Sequence, residues 1–135
     1  MRSQRSYLAR RQRYLPLVIL VAAIGCGHKQ EELEGRTSLS GSISFNGKPI
    51  PAGTIGFESV EGYEKTSVSI KDGKYSTPRA PLGSCLVRVE TYAVQFVSPA
   101  SYVPIPERYS DFKDSGLTVE IKPGVNENVN FDLKP

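Results

Sequence analysis

The sequence predicts an all-β domain over residues 37–135, built as a sandwich of two antiparallel sheets. Apolar and polar residues alternate there with a period of two, as in Leu39, Ile43 and Phe45 with serines between them. Short strands of this kind recur at spacings of roughly 8–12 residues, and no segment shows a convincing helical period. Because each strand has one apolar face, six or seven strands in two packed sheets would bury those faces together.

Each strand is defined by its alternating apolar residues, and each turn by its glycine. Gly41 is in phase with the apolar face of the first strand, which indicates a bulge or a close backbone approach. Asp72 and Gly73 predict a tight hairpin turn, and Pro123 and Gly124 predict a second turn. The later strands are defined by Ile55 and Phe57, by Val68 and Ile70, by Cys85, Val87 and Val89, by Leu117, Val119 and Ile121, and by Val129, Phe131 and Leu133.

The same alternation predicts which residues form the core. Phe45, Val87, Val89, Val119 and Phe131 are the in-phase residues that we expect to pack together between the sheets. Phe131 is expected at the centre of this core. The neighbouring residue Asn130 is then expected on the opposite face as a plain surface position.

Residues 1–25 have the order of a signal peptide. Five arginines and no acidic residue precede an apolar run over 15–25, and small residues flank Cys26. The run has 11 residues, whereas a helix needs about 20 to span a bilayer. A cleaved signal is therefore favoured over a permanent transmembrane anchor.

The residues AIGC at 23–26 resemble a bacterial lipobox, in which the cysteine is acylated and becomes the new N-terminus. This resemblance implies that Cys26 carries a lipid anchor, since two or three acyl chains hold a protein stably on a membrane. Ordinary cleavage that releases a soluble protein is the alternative. Residues 26–36 are polar and acidic, with Leu33 as their only large apolar side chain, and predict a flexible tether.

Charge argues against a nucleic-acid partner. The first 25 residues carry five of the 17 basic residues, which leaves 12 against 14 acidic ones and a net charge of about −2 after cleavage. Binding to phosphates needs a clustered basic face, and the remaining lysines and arginines are scattered among acids.

Segments spread over residues 37–133 together resemble the carboxypeptidase regulatory-like, or transthyretin-like, domain of small lipoproteins from planctomycete-type bacteria. The resembling segments are LSGSISFNGKPIPAG at 39–53, DGKY at 72–75, PLG at 81–83, IPERY at 105–109, LTVEI at 117–121 and FDL at 131–133. The resemblance implies a seven-stranded Greek-key sandwich, within a range of six to eight strands, in an exported protein. It implies accessory, adhesive or structural roles and no established reaction.

The residues offer little for catalysis. The only histidine, His28, lies in the tether, so neither a zinc-peptidase site nor a common nucleophile–base pair can be assembled in the domain. Cys85 is interpreted as a small buried side chain, with a reactive thiol as the alternative. Glu107, Asp111 and Asp114 have the oxygen ligands of a calcium site, but Arg108 and Lys113 between them favour a solvated surface. We expect no cofactor and no metal.

The long connection over 92–115 is the candidate binding region. Loops of this length without regular structure are often functional. Its aromatic residues are Tyr92, Phe96, Tyr102, Tyr109 and Phe112. They could form a platform for a glycan or an envelope protein, or they could cover the edge of the sandwich.

Together these observations predict a non-enzymatic, membrane-tethered lipoprotein that faces the periplasm or the exterior and acts as a structural or binding module. A carbohydrate- or protein-binding domain that uses the 92–115 connection is the alternative. An enzyme is a remote alternative.

Overall fold

The computed structural model describes residues 37–135, so the predicted signal peptide, Cys26 and the tether over 26–36 lie outside the described residues. The described chain is mostly β-structure. Seven strands follow one another in a largely antiparallel sheet that is strongly curled into a half-barrel, and two further short strands pair with the first strand. No helix within residues 37–135 has the length and apolarity needed to cross a membrane.

The strands are β1 (Ser38–Phe45), β2 (Lys48–Pro49), β3 (Ala52–Ser59), β4 (Lys65–Lys71), β5 (Lys74–Thr77), β6 (Gly83–Glu90), β7 (Leu117–Ile121), β8 (Val125–Asn126) and β9 (Phe131–Leu133). The predicted strands are present, except that the last one begins at Phe131 and leaves Val129 outside it, and two short strands, β2 and β8, were not predicted. The expectation of no helical structure was wrong for the connection after β6. That connection holds one helical turn, α1 (Val94–Val97), and two 3₁₀ turns, Pro99–Ser101 and Glu107–Ser110.

The curl of the sheet follows from its connections. Along the sheet the order is β2-β1-β5-β4-β3-β6-β7, and β8 and β9 run parallel to β1. Strand β1 changes partners halfway along, from β5 and β8 at its start to β2 and β9 at its end. Only residues 122–124 separate β7 from β8. Since so short a turn cannot cross a flat sheet, it requires β7 and the start of β1 to lie close together.

Two predicted backbone features are confirmed. Asp72 and Gly73 have φ values of 51° and 74°, as a type I′ hairpin turn requires. Gly41 marks a close approach, because a Cβ atom there would lie 1.8 Å from the carbonyl oxygen of Val129. The apolar face of β1 therefore depends on a glycine that lets the segment before β9 pass beside it.

The core differs from the prediction near the C-terminus. Val87 and Val89 are fully buried as expected, but Phe45, Val119 and Phe131 are only half-buried. Leu133 takes the buried position that was predicted for Phe131. The alternation was right, because residues two apart share a face, but that face is fully covered only at the end of β9. The buried core consists of Leu39, Ile43, Ile50, Ile55, Phe57, Ile70, Tyr75, Cys85, Val87, Val89, Tyr109, Ile121 and Leu133.

Asn130 lies on the exposed face, but it is not a plain surface position. Its side-chain oxygen accepts hydrogen bonds of 2.9 Å from both the backbone N–H and the hydroxyl of Ser42. The amide thus binds the segment before β9 to β1, next to the close approach of Val129 to Gly41. The expectation that Asn130 has no structural partner was wrong, because alternation predicts a face and not a contact.

Candidate functional site

The connection between β6 and β7 is fixed to β6 at both ends. The buried hydroxyl of Thr91 donates a 2.6 Å hydrogen bond to the carbonyl of Val103. The buried hydroxyl of Ser115 donates to the carbonyl of Val87 and accepts a 3.1 Å bond from the N–H of Leu117. The connection therefore lies on the end of β6 as an ordered cover.

Tyr109 is buried and has a structural role. Its hydroxyl donates a 3.0 Å hydrogen bond to the carbonyl of Lys134 and accepts a 2.9 Å bond from the N–H of the same residue. The guanidinium of Arg108 lies 4.6 Å from the ring centroid. Tyr109 thus binds the connection to the end of the chain, and it offers no face to a ligand.

Phe112 is half-buried and lies beneath basic side chains. The guanidinium of Arg88 is 5.1 Å from its ring centroid, and the ammonium group of Lys65 is 5.8 Å from it. Both distances fall within the range of cation–π attraction. The ring therefore packs across β6 and β4, apart from the other aromatic residues of the connection.

Tyr92 and Phe96 are the exposed aromatic residues of the connection, with 63% and 70% of their surface accessible. Their ring centroids are 5.4 Å apart and the planes meet at 73°, an edge-to-face arrangement. Val97 beside them is also exposed. We call these three residues the distal patch. The two rings are not coplanar, as a flat platform for a sugar would require.

A cleft of about 490 Å³ opens beside Tyr92, and we take it as the candidate site. Tyr92 and Tyr102 are its aromatic lining residues, and Glu90 and Glu107 are its acidic lining residues. We call it the aromatic cleft. Its lining residues are Val89, Glu90, Thr91, Tyr92, Tyr102, Ile105, Pro106, Glu107 and Ser110.

The lining defines what the cleft can do chemically. Aromatic faces stack on the apolar faces of sugar rings or lie over cations. Carboxylates accept hydrogen bonds from hydroxyl or ammonium groups. A concave site with a few polar groups on an apolar wall is the usual form of a small-ligand site. The arrangement therefore suits a polyhydroxylated or amine-bearing ligand better than an anion.

The five predicted aromatic site residues do not form one site in the structure. Tyr92 and Tyr102 come together in the cleft, Phe96 lies outside it beside Tyr92, and Tyr109 and Phe112 point into packing. Sequence reasoning missed Glu90 and missed Glu107 as a cleft residue. Glu90 lies at the end of a strand and Glu107 at the start of a 3₁₀ turn, and neither position predicts that both residues line the same cleft.

The acidic residues after Glu107 do not converge. One side-chain oxygen of Asp111 accepts hydrogen bonds of 2.7 Å and 3.2 Å from the N–H groups of Lys113 and Asp114, a local turn. Within residues 37–135, no group of three His, Cys, Asp or Glu side chains is placed to hold a metal ion. These hydrogen bonds to the turn over residues 111–114 account for the side chain of Asp111.

Cys85 is buried in the core, as predicted. Its sulfur lies 3.7 Å from the carbonyl of Pro81 and 3.6 Å from that of Gly83. Burial raises the pKa of the thiol, and the negative charges of Glu120 and Glu64 add to this rise. Since the thiolate is the reactive form, this environment favours an inert thiol.

Comparison of the chain with protein-family models, with curated proteins and with solved structures finds no match. What the aromatic cleft binds must therefore be inferred from its own residues. The chemistry of Tyr92, Tyr102, Glu90 and Glu107 is the basis for that inference.

Proposed function

We propose that this chain is the precursor of an exported lipoprotein, anchored through acylated Cys26 to a membrane of the cell envelope. The order of an arginine-rich segment, an 11-residue apolar run and a cysteine between glycines carries the proposal. The domain over 37–135 then faces the periplasm or the exterior as a structural or binding module.

For the domain we propose a Greek-key sandwich of the carboxypeptidase regulatory-like kind. The exchange of partners along β1 supports this, because one strand that pairs first with β5 and then with β2 joins two sheet segments. The turn between β7 and β8, which brings the last strands beside the first one, also fits such a topology.

The aromatic cleft lies at the end of the sheet away from the chain's point of attachment. Strand β1 starts opposite the end of β5, with Leu39 paired to Thr77. The β4–β5 hairpin, the start of β3 and the end of β6 form the other end, where Glu90 pairs with Thr54. A tether that leaves from Thr37 would thus hold the domain with the cleft directed outward.

We propose a non-enzymatic role. The only histidine of the chain, His28, precedes the domain. The buried thiol of Cys85, with its raised pKa, has the character of a core residue. Binding or support at the cell envelope is the role that remains for the domain.

A second candidate function is specific recognition of a glycan or of an envelope protein in the aromatic cleft. The presence of Tyr92, Tyr102 and two glutamates in the lining of one cleft favours it. Of the two ligand types, a polysaccharide fits better, because stacking surface and hydroxyl acceptors are both present.

Substitution of Cys26 by Ser tests the lipid anchor. We expect the variant to remain as uncleaved precursor and to incorporate no labelled fatty acid, while the wild type is processed and labelled. Processing and release of the variant at the wild-type rate would show that the cysteine is not the lipid acceptor.

Co-sedimentation of the lipidated protein with purified peptidoglycan and with envelope polysaccharide tests the cleft. We expect Tyr92→Ala/Tyr102→Ala to weaken binding about tenfold or more, which corresponds to about 1.4 kcal/mol. Phe96→Ala is the matched control, because this exposed aromatic ring is not part of the lining of the cleft. Equal losses in both variants, or none in either, would leave the structural role as the better proposal.

A further inference from the structure

Within residues 37–135, the exposed large hydrophobic side chains fall into two groups at opposite ends of the sheet. One group is the distal patch beside the aromatic cleft. The other group, here called the tether-end rim, consists of Val60, Tyr63, Leu82 and Val125. Exposed hydrophobic residues scattered singly need no explanation, but residues gathered at one end indicate a contact surface.

The rim surrounds the point where the chain enters the domain. The carbonyl of Thr37 accepts a 2.8 Å hydrogen bond from the N–H of Ala80, two residues before Leu82. The N–H of Ser38 donates a 2.9 Å bond to the carbonyl of Gly124, next to Val125. Two of the loops that carry the rim are thus bonded directly to the first described residues.

The other rim residues belong to the neighbouring β3–β4 turn. The N–H of Val60 donates a 2.9 Å hydrogen bond to the carbonyl of Ser84, and Val60 and Leu82 line one hollow of about 360 Å³. The turn itself is closed by a 2.9 Å bond from the N–H of Ser59 to the carbonyl of Glu64. It presents Tyr63 with 88% of its surface exposed.

The proposed lipid anchor determines what lies opposite this rim. Ten residues, 27–36, separate Cys26 from Thr37. At about 3.5 Å per residue they reach no more than roughly 35 Å. The rim is therefore held close to the bilayer at all times, which raises its effective concentration there.

The rim has the composition of a membrane-interface contact. Aliphatic side chains enter the boundary between headgroups and acyl chains, and tyrosine is enriched at that depth because its ring is apolar and its hydroxyl is polar. Acidic Glu61 and Glu64 and basic Lys65 and Arg79 are mixed around the rim. This mixture favours apolar contact with a zwitterionic surface over electrostatic attraction to anionic lipids.

On the basis of the proposed anchor, we propose that the tether-end rim rests on the surface of the membrane that holds Cys26. The contact orients the domain, so that the aromatic cleft at the opposite end is directed away from the bilayer. Without the contact, a ten-residue tether would leave the domain free to rotate. The partner is the lipid bilayer itself.

Tryptophan fluorescence can test this contact, because the chain contains no tryptophan. We propose Tyr63→Trp in the full lipidated protein, reconstituted in phosphatidylcholine vesicles with and without brominated acyl chains. We expect a blue-shifted emission that brominated lipid quenches roughly twofold, as for a side chain 5–10 Å into the interface. Phe96→Trp, in the distal patch, is the matched control and should not be quenched.

A second pair of variants tests the apolar nature of the contact. Leu82→Ser in the Tyr63→Trp background should reduce the quenching, whereas Val97→Ser in the same background should leave it unchanged. Both residues are exposed, so neither substitution is expected to affect folding.

Flotation of the vesicles separates failure of this inference from failure of the proposed function. Protein that does not float with the vesicles would overturn the lipid anchor and the rim contact together. Protein that floats, but shows no quenching at Tyr63→Trp or equal quenching at both tryptophans, would overturn the rim contact and leave the lipoprotein proposal standing.

Discussion

The β3–β6 strand pair and the connection that follows β6 are both rich in large apolar side chains, but they bury them differently. In the pair, Phe57 and Val87 lie opposite one another, and both are fully buried. In the connection, Tyr109 is buried while Tyr92 and Phe96 are exposed. In a strand the pleat assigns every second residue to the core, whereas in a connection each ring is placed by its own hydrogen bonds and contacts.

The largest expected effect lies in the strand pair. Phe57→Ala should lower the free energy of unfolding by about 3–5 kcal/mol, through lost transfer energy and the cavity left behind. Phe96→Ala, which truncates the same side chain in the connection, should change it by about 0.5 kcal/mol or less. Urea unfolding measures both. Similar losses would mean that the connection packs like the strands.

Gly41 in β1 and Gly116 in the connection differ in the space around them. Gly41→Ala should cost about 3 kcal/mol, because the new Cβ would overlap the carbonyl oxygen of Val129 and backbone would have to move. Gly116→Ala in the connection meets no atom within 4 Å. It should cost only about 1–2 kcal/mol, for the positive φ of 69°. Thermal unfolding compares them, and a harmless Gly41→Ala would contradict the close crossing at β1.

The two tyrosines of the connection give a smaller difference. Tyr109→Phe removes the hydroxyl that bonds both backbone groups of Lys134, so we expect a loss of about 1–2 kcal/mol. Tyr92→Phe alters an exposed hydroxyl and should be neutral within about 0.5 kcal/mol. Equal values in chemical denaturation would show that the connection is not anchored through Tyr109.

The smallest expected effect concerns Asp132 and depends on pH. Its carboxylate accepts hydrogen bonds from Lys134, the N–H of Gly47 and the hydroxyl of Ser44, which lower its pKa from 3.8 to about 2. A lowered pKa means that the stabilisation is complete above the unfolded value and is lost as the pH falls from about 4 to about 2.

Asp132→Asn should therefore lower stability slightly at pH 6 and flatten its decrease between pH 4 and pH 2. Asp111→Asn is the control, because the carboxylate of Asp111 bonds only to N–H groups two and three residues away. Unfolding curves at pH 6, 4 and 2 would show the difference. If the stability of Asp132→Asn decreased between pH 4 and pH 2 as steeply as that of the wild type, the carboxylate of Asp132 would not stabilise the β1–β2 turn.

Much of the fold could be predicted from the sequence, and less of the site. The alternation around Val87 and Val89 indicated strand β6 and its buried face correctly, because the pleat relates neighbouring residues directly. The alternation could not show that Phe131 would be half-buried and Leu133 fully buried. That difference depends on what covers β9, which the curl of the whole sheet decides.

Alternation and turn residues were enough to predict the longer strands, the Asp72-Gly73 turn, a bulge or close approach at Gly41 and the buried thiol of Cys85. These features depend on side-chain alternation and backbone sterics over a few residues. The folded structure was needed to show that Tyr92 and Tyr102 share a cleft with two glutamates while Tyr109 is buried. It also placed that cleft opposite the end where the chain enters. Such contacts join distant residues, and their energies depend on partners that no local pattern specifies.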